Sequence, residues 1–325
     1  MNQYESRRSQ SPLSHIDTSF AHYVSRRQAA ENEHMDNGVP DYAFALDCEL
    51  RKKLMQIPGF YSISKKIMAT YAAREIQMIN QQGLAVGPDQ FPEIYKMGVD
   101  CAHRLGIGVP NIFIMNQPIM NAYTVAADDL SPVIVLYSAI VERLTPGELK
   151  CVIAHECGHI HNNHAVLKCV VNQLLNMGGN GLVAFALSAA NIALMNFWTR
   201  AGEITADRAA LICADNVQDA LNVDYKLLYG ALLKNDSAMN LDALRKQLQN
   251  IFDNPTRIME FGNIAAMNFK DHPGELRRIF AELEFTECET YYKWRPEEKK
   301  PGAVQRTKAE TDERCKKLVN ILDNQ

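Results

Sequence analysis

No two of the eight cysteines in this 325-residue chain stand in a C-x-x-C pair. Cys48, Cys101, Cys151, Cys157, Cys169, Cys213, Cys288 and Cys315 are scattered along it. That spacing argues against a zinc ribbon or a disulfide framework and for reduced thiols, as in a cytoplasmic protein. Excess positive charge is missing as well. With 34 Lys and Arg against 38 Asp and Glu, the net charge of -4 argues against a general nucleic-acid binder. The first forty residues lack the apolar core of a secretory signal. They carry Arg7-Arg8, Arg26-Arg27 and acids between Glu31 and Asp36, so 1–40 is expected to be a polar, flexible tail. Long apolar runs are scarce too. The best, Leu182 to Trp198, is near the short limit for a membrane span and contains Ser188, Asn191 and Asn196.

What is present suffices for a sizeable core, since 47% of the residues are apolar. Helical spacing of Leu50, Leu54 and Ile57 precedes the break at Pro58-Gly59. Further helices are expected over 62–81, 93–105, 241–252 and 311–322. Asn111–Met115, Ala122–Ala126 and Pro132–Tyr137 are β-prone runs between polar or proline-bearing turns. The economical fold is α+β and mainly helical, with a small, mostly antiparallel sheet in one domain over 41–285. Residues 286–325 are expected to be a C-terminal tail with a short helix.

The stretch that carries chemistry is His155-Glu156-Cys157-Gly158-His159. Thr145-Pro146-Gly147-Glu148 before it reads as a helix start, with a capping residue, a proline at the first helical position and an acid placed to close a capping box. On a helix the two histidines lie on one face, separated by about 6 Å of axial rise. That arrangement suits two imidazoles on one Zn²⁺, with Glu156 placed to take a proton from a water in an open position. H-E-x-x-H is the signature of zinc metalloproteases. The plainer alternative, a core helix with two buried histidines, needs several compensating hydrogen bonds. For the third ligand the choice falls on Glu203, in a second helical stretch, with Asp207 four residues later on the same face. Asp207 is placed to accept the spare N–H of a ligand histidine. Other candidates are set aside. Cys101 and His103, two apart on a helix, diverge; His161 and His164, around two asparagines, read as a solvated helix end.

H-E-C-G-H followed by E-I-T-A-D resembles the zinc peptidases grouped with bacterial HtpX and the CaaX prenyl proteases. Asn121-Ala122-Tyr123 resembles the start of that family's active-site edge strand, where an extended substrate adds by main-chain hydrogen bonds. Asp271-His272-Pro273, with an arginine six residues after the histidine, resembles its late element. The likeness runs from about Asp47 to Leu283 and implies a zincin-like peptidase domain, with His272 and Arg278 near the substrate carbonyl as donors to developing charge. Gly274-Glu275 departs from the family's proline-containing pair, and Arg277 offers a second arginine.

Many HtpX-type relatives are membrane proteins, so residues 165–198 bear on location. One crossing there would put His155 and His159 on the opposite side of a bilayer from Glu203. Two crossings would need Ala165 to Met177, which is short and carries Lys168, Asn172, Gln173 and Asn176. A helical hairpin turning at Gly178–Gly181 is expected instead. The expectation is therefore a cytoplasmic zinc endopeptidase of gluzincin type: His155, His159 and Glu203 as ligands, Glu156 as general base, and protein or peptide as substrate. The alternatives are a quality-control protease in peripheral contact with the membrane and a metal-stabilised binding module. Cys157, beside the ligands, carries a minor redox idea.

Overall fold

The computed structural model describes residues 34–36, 38–58, 60–127, 130–164, 189–228 and 275–319, with isolated positions at 240, 243, 246, 247 and 250. A ribbon of β1 (Met35–Asp36) and β2 (Val39–Pro40) leads into helices α1 (Ala45–Met55) and α2 (Phe60–Gln82). Then come β3 (Leu84–Ala85), α3 (Pro92–Leu105), β4 (Asn111–Met115), β5 (Ala122–Ala127) and β6 (Leu130–Tyr137). Helices α4 (Ser138–Arg143), α5 (Pro146–His161), α6 (Ala189–Cys213), α7 (Val217–Leu228), α8 (Glu275–Phe285), α9 (Glu289–Trp294) and α10 (Lys308–Val319) complete the described chain. The fold is mainly helical with one small four-stranded sheet.

The run Val133–Leu136 is apolar at every position because β6 is buried on both faces. Ile112, Ile114, Ile134 and Leu136 point into one core cluster, with Leu149, Val152 and Ile153 of α5. Phe113, Met115, Val133 and Val135 point into another, with Phe44, Trp198 and Ile204. Side chains of a strand alternate between faces, so helices on both sides bury every residue. The strand order is β3-β4-β6-β5. Two of the three pairings are antiparallel, and β4 with β6 is parallel. β5 pairs only with β6 in this sheet and is therefore an edge strand, with Tyr123 opposite Val135 and Thr124 opposite Ile134.

Both ends of the described chain pack on this core. Trp294 stacks on His34 and donates from Nε1 to Asp41 at 2.7 Å. Arg208 of α6 is buried against Asp312 of α10, 2.7 Å away. The expected hairpin turn at 178–181, the helix over 241–252 and His272 lie outside the described residues, apart from isolated positions at 243, 246, 247 and 250. Among the described residues, no helix is long and apolar enough to cross a membrane.

Candidate metal centre

Helix α5 begins where its sequence says it should. Thr145 accepts from the Glu148 backbone N–H at 3.4 Å, and the Glu148 carboxylate accepts from the Thr145 N–H at 2.8 Å. Glu148 is also buried against Lys226 of α7, 2.8 Å away, so the first turn is tied to a neighbouring helix. Two and a half turns on, His155 and His159 present their rings at right angles, with centroids 4.7 Å apart.

Helix α6 reaches these histidines because α5 has a glycine where the two helices meet. A Cβ on Gly158 would lie 2.7 Å from the Ala209 Cβ and 3.0 Å from the Ala206 Cα. Small residues on both sides permit that approach. As a result one carboxylate, Glu203, lies with Oε2 3.4 Å from His155 Nε2 and Oε1 3.4 Å from His159 Nε2. One donor atom from each of the three lies within 4.8 Å of the others. Two imidazole nitrogens and one carboxylate oxygen form the donor set of a catalytic zinc site.

The far side of each imidazole is held differently. His155 Nδ1 is 2.8 Å from Asp207 Oδ1, and Asp207 takes two further hydrogen bonds from Arg278, 2.9 Å from Nε and 2.6 Å from Nη2. Arg278 Nη2 is also 3.1 Å from Asp224. Burial opposes charge on Asp207, but Arg278 and then His155 outweigh it and hold the carboxyl down at about 2. Burial likewise disfavours a charged His155, yet Asp207 and Glu203 push its pKa up to about 10. These acids create a field that favours a cation beside His155.

His159 Nδ1 is 3.0 Å from His164 Nδ1, and His164 Nε2 is 2.8 Å from Asp47 Oδ2. Thr205 donates to the same Asp47 oxygen at 2.8 Å. Donor counting assigns the protons: with His159 Nε2 turned to the Glu203 side, its Nδ1–H donates to His164, which donates from Nε2–H to Asp47. Burial works against the Asp47 charge, but His164, Thr205 and Arg51 more than offset it and lower its pKa. Here the expectation of a solvated helix end is overturned. His161 and His164 are buried, and His161 Nδ1 lies 3.0 Å from the Tyr42 hydroxyl. The helix stops at His161, and Asn163 adopts a left-handed φ of 57°. The chain then folds back and places His164 behind His159. An asparagine, a residue that tolerates the left-handed region, followed by a histidine was the available signal.

Glu156 is buried beside the ligands and accepts a hydrogen bond of 2.6 Å from Thr124 Oγ1 on the edge strand. Thr124 falls inside the edge strand expected over Asn121 to Val125, but its contact with Glu156 was not foreseen. Asn121, Ala122, Tyr123 and Thr124 line a cavity of about 530 Å³ with His155, Glu156, His159, Glu203, Asp207 and Arg278. Arg278 lines this cavity; Arg277 is not among its lining residues. Cys101 is buried and His103 exposed, as their spacing implied. Cys157 is fully buried, and burial raises its pKa well above the ordinary thiol range. That disfavours the thiolate on which the redox idea depends.

Comparison with known proteins bears on the family to which the chain belongs. The chain is 29% identical over 219 residues to the chloroplastic plastoglobule-localized metallopeptidase 48 of Arabidopsis thaliana, covering 66% of this chain and 63% of that protein. It is 32% identical over 187 residues to a protease HtpX homolog of Helicobacter pylori, covering 52% of this chain and 59% of the relative. The match thus spans about six-tenths of the length of these curated relatives. Among solved structures, Ste24p of S. mikatae aligns with a TM-score of 0.42 and 19% identity, over 72% of this chain and 60% of that one. The family model of peptidase family M48 matches residues 88–284. That span holds the edge strand, the helices carrying His155, His159 and Glu203, and Arg278, and by that match the chain belongs to peptidase family M48.

Proposed function

We propose that the chain is a zinc endopeptidase in which His155, His159 and Glu203 hold the metal and Glu156 is the general base. The observation that carries this reading is the convergence of both histidine Nε2 atoms on the two oxygens of Glu203, with Glu156 on the same helix. Bound zinc supplies a Lewis acid that polarises a peptide carbonyl and acidifies water. Glu156 accepts the proton of the attacking water and delivers it to the departing amine. Thr124 holds Glu156 Oε2, which fixes the base beside the edge strand β5. The segment from Asn121 through Tyr123, entering β5, pairs with an extended peptide by main-chain hydrogen bonds.

Asp207 orients His155, and the His164–Asp47 pair orients His159; fixed imidazoles lose less freedom on binding metal. Arg278, itself fixed by Asp207, supplies positive charge to the cavity and is the proposed stabiliser of the carbonyl oxygen; family likeness assigns His272 the same role. A reducing, cytoplasmic setting, including the cytoplasmic face of a membrane, fits the seven described cysteines, all of them free. The test is metal analysis of purified protein with identification of peptides cut by wild type and not by Glu156→Gln. The variant should retain one zinc per chain and lose turnover. Normal turnover in Glu156→Gln would reject the mechanism.

A further inference from the structure

A second group of acids lines the cavity beside the ligand cluster. Asp207, Asp224 and Glu282 each offer a carboxylate oxygen within 4.8 Å of the others. Arg278 bonds Asp207 and lies 3.1 Å from Asp224. Glu282 is placed differently: it is 3% exposed, it lines the cavity, and its buried Oε2 has no hydrogen-bond partner. Arg278 and His155 both contact Asp207, and Arg278 also reaches Asp224, whereas Glu282 Oε2 bonds neither. Burial, followed by Asp224 and Asp207, raises the Glu282 pKa well above the carboxylate range. A cation brought against Glu282 favours its charged form.

The neighbouring cavity lining is apolar. Ala220, Val223 and Leu227 recur at helical spacing on α7, and Ile140 and Val152 line the same space. Lysine and arginine bury their aliphatic stems along such walls and place the charged head against an acid. We propose that this part of the cleft is a specificity subsite for a lysine or arginine side chain of the substrate, with the Glu282 carboxylate as its counter-ion. Entry of the cationic head favours the Glu282 carboxylate, and any proton it carries leaves to solvent. A second divalent cation fits less well, because two of the three carboxylates are already engaged by Arg278. This inference rests on the peptidase reading and adds the substrate class to it.

The experiment uses the full chain loaded with zinc and a fluorogenic peptide series in which each position around a cleaved bond carries lysine, arginine, norleucine or glutamate. At one position, wild type should cleave lysine and arginine peptides with kcat/KM at least about 30-fold above norleucine, the scale of one desolvated charge pair. In Glu282→Gln the lysine-to-norleucine ratio should fall toward one. Cleavage by wild type that is indifferent to charge at every position would overturn the subsite and leave the peptidase reading standing. No cleavage of any peptide by zinc-loaded wild type would reject both. A second equivalent of tightly held metal, lost in Glu282→Gln, would assign the acids to a cation and overturn the subsite. Because wild type alone can give the deciding result, a poorly folding variant does not shield the proposal.

Discussion

Gly158→Ala should perturb the proposed metal centre without altering any of its three proposed ligands. The new methyl would lie 2.7 Å from the Ala209 Cβ and 3.0 Å from the Ala206 Cα, whereas carbon atoms pack at about 3.5–4.0 Å. The contacts are backbone and alanine, so no flexible side chain can yield, and α5 and α6 must part locally by roughly 1 Å. Overpacking of this kind costs about 1–3 kcal/mol, partly offset by about 1 kcal/mol from the better helix propensity of alanine. The metal is less forgiving. Gly158 immediately precedes His159, and Glu203 sits on the helix pushed away; ligand distances tolerate only about 0.2 Å. Zinc affinity should therefore fall by about 10–100-fold, the range seen when a ligand's support is disturbed, while the metal-free protein loses about 0–2 kcal/mol. Competition with a chromogenic chelator gives the affinity, and thermal melts of apo and loaded protein give the stability. A variant with wild-type zinc affinity would refute the argument that this close approach sets the ligand geometry.

The other predictions concern groups around the ligands. Thr124→Val keeps the β-branched shape of the edge strand but removes the hydroxyl bonded to Glu156; kcat should fall about 10-fold with KM little changed, and an unchanged kcat would deny Thr124 a part in holding the base. His164→Leu removes the acceptor behind His159 and should weaken zinc binding about 10–100-fold, read by the same chelator competition; wild-type affinity would mean His159 needs no such support. Thr145→Ala breaks the capping box of α5 and should cost about 1 kcal/mol in urea unfolding, with zinc content unchanged at saturating metal. A midpoint equal to wild type would show that the Glu148–Lys226 pair alone secures the helix start.

Elements whose signal is local were legible in the chain. Helix α3, strands β4 and β6, and the start of α5 after Thr145 lie within a residue or two of their expected bounds, because capping chemistry and apolar spacing act over a few residues. The sheet order was not legible. β4 pairs with β6 across the intervening β5, and only packing of both faces selects that crossover. His164 escaped for a related reason: helical periodicity ends at His161, and the Asn163 turn aims the next side chain by backbone geometry instead.

The spacing of His155, Glu156 and His159 follows from the helix alone, since residues four apart share a face wherever a helix forms. Local sequence determined that much, together with the position of Asp207 relative to Glu203. Only tertiary structure decided that α6 approaches α5 closely enough for Glu203 to span both histidines, that Arg278 and Asp47 stand behind the ligands, and that Glu282 faces the same cavity. Those contacts join residues tens to more than a hundred positions apart. They depend on the Gly158 gap and the burial of two core clusters, which no short stretch of sequence specifies by itself.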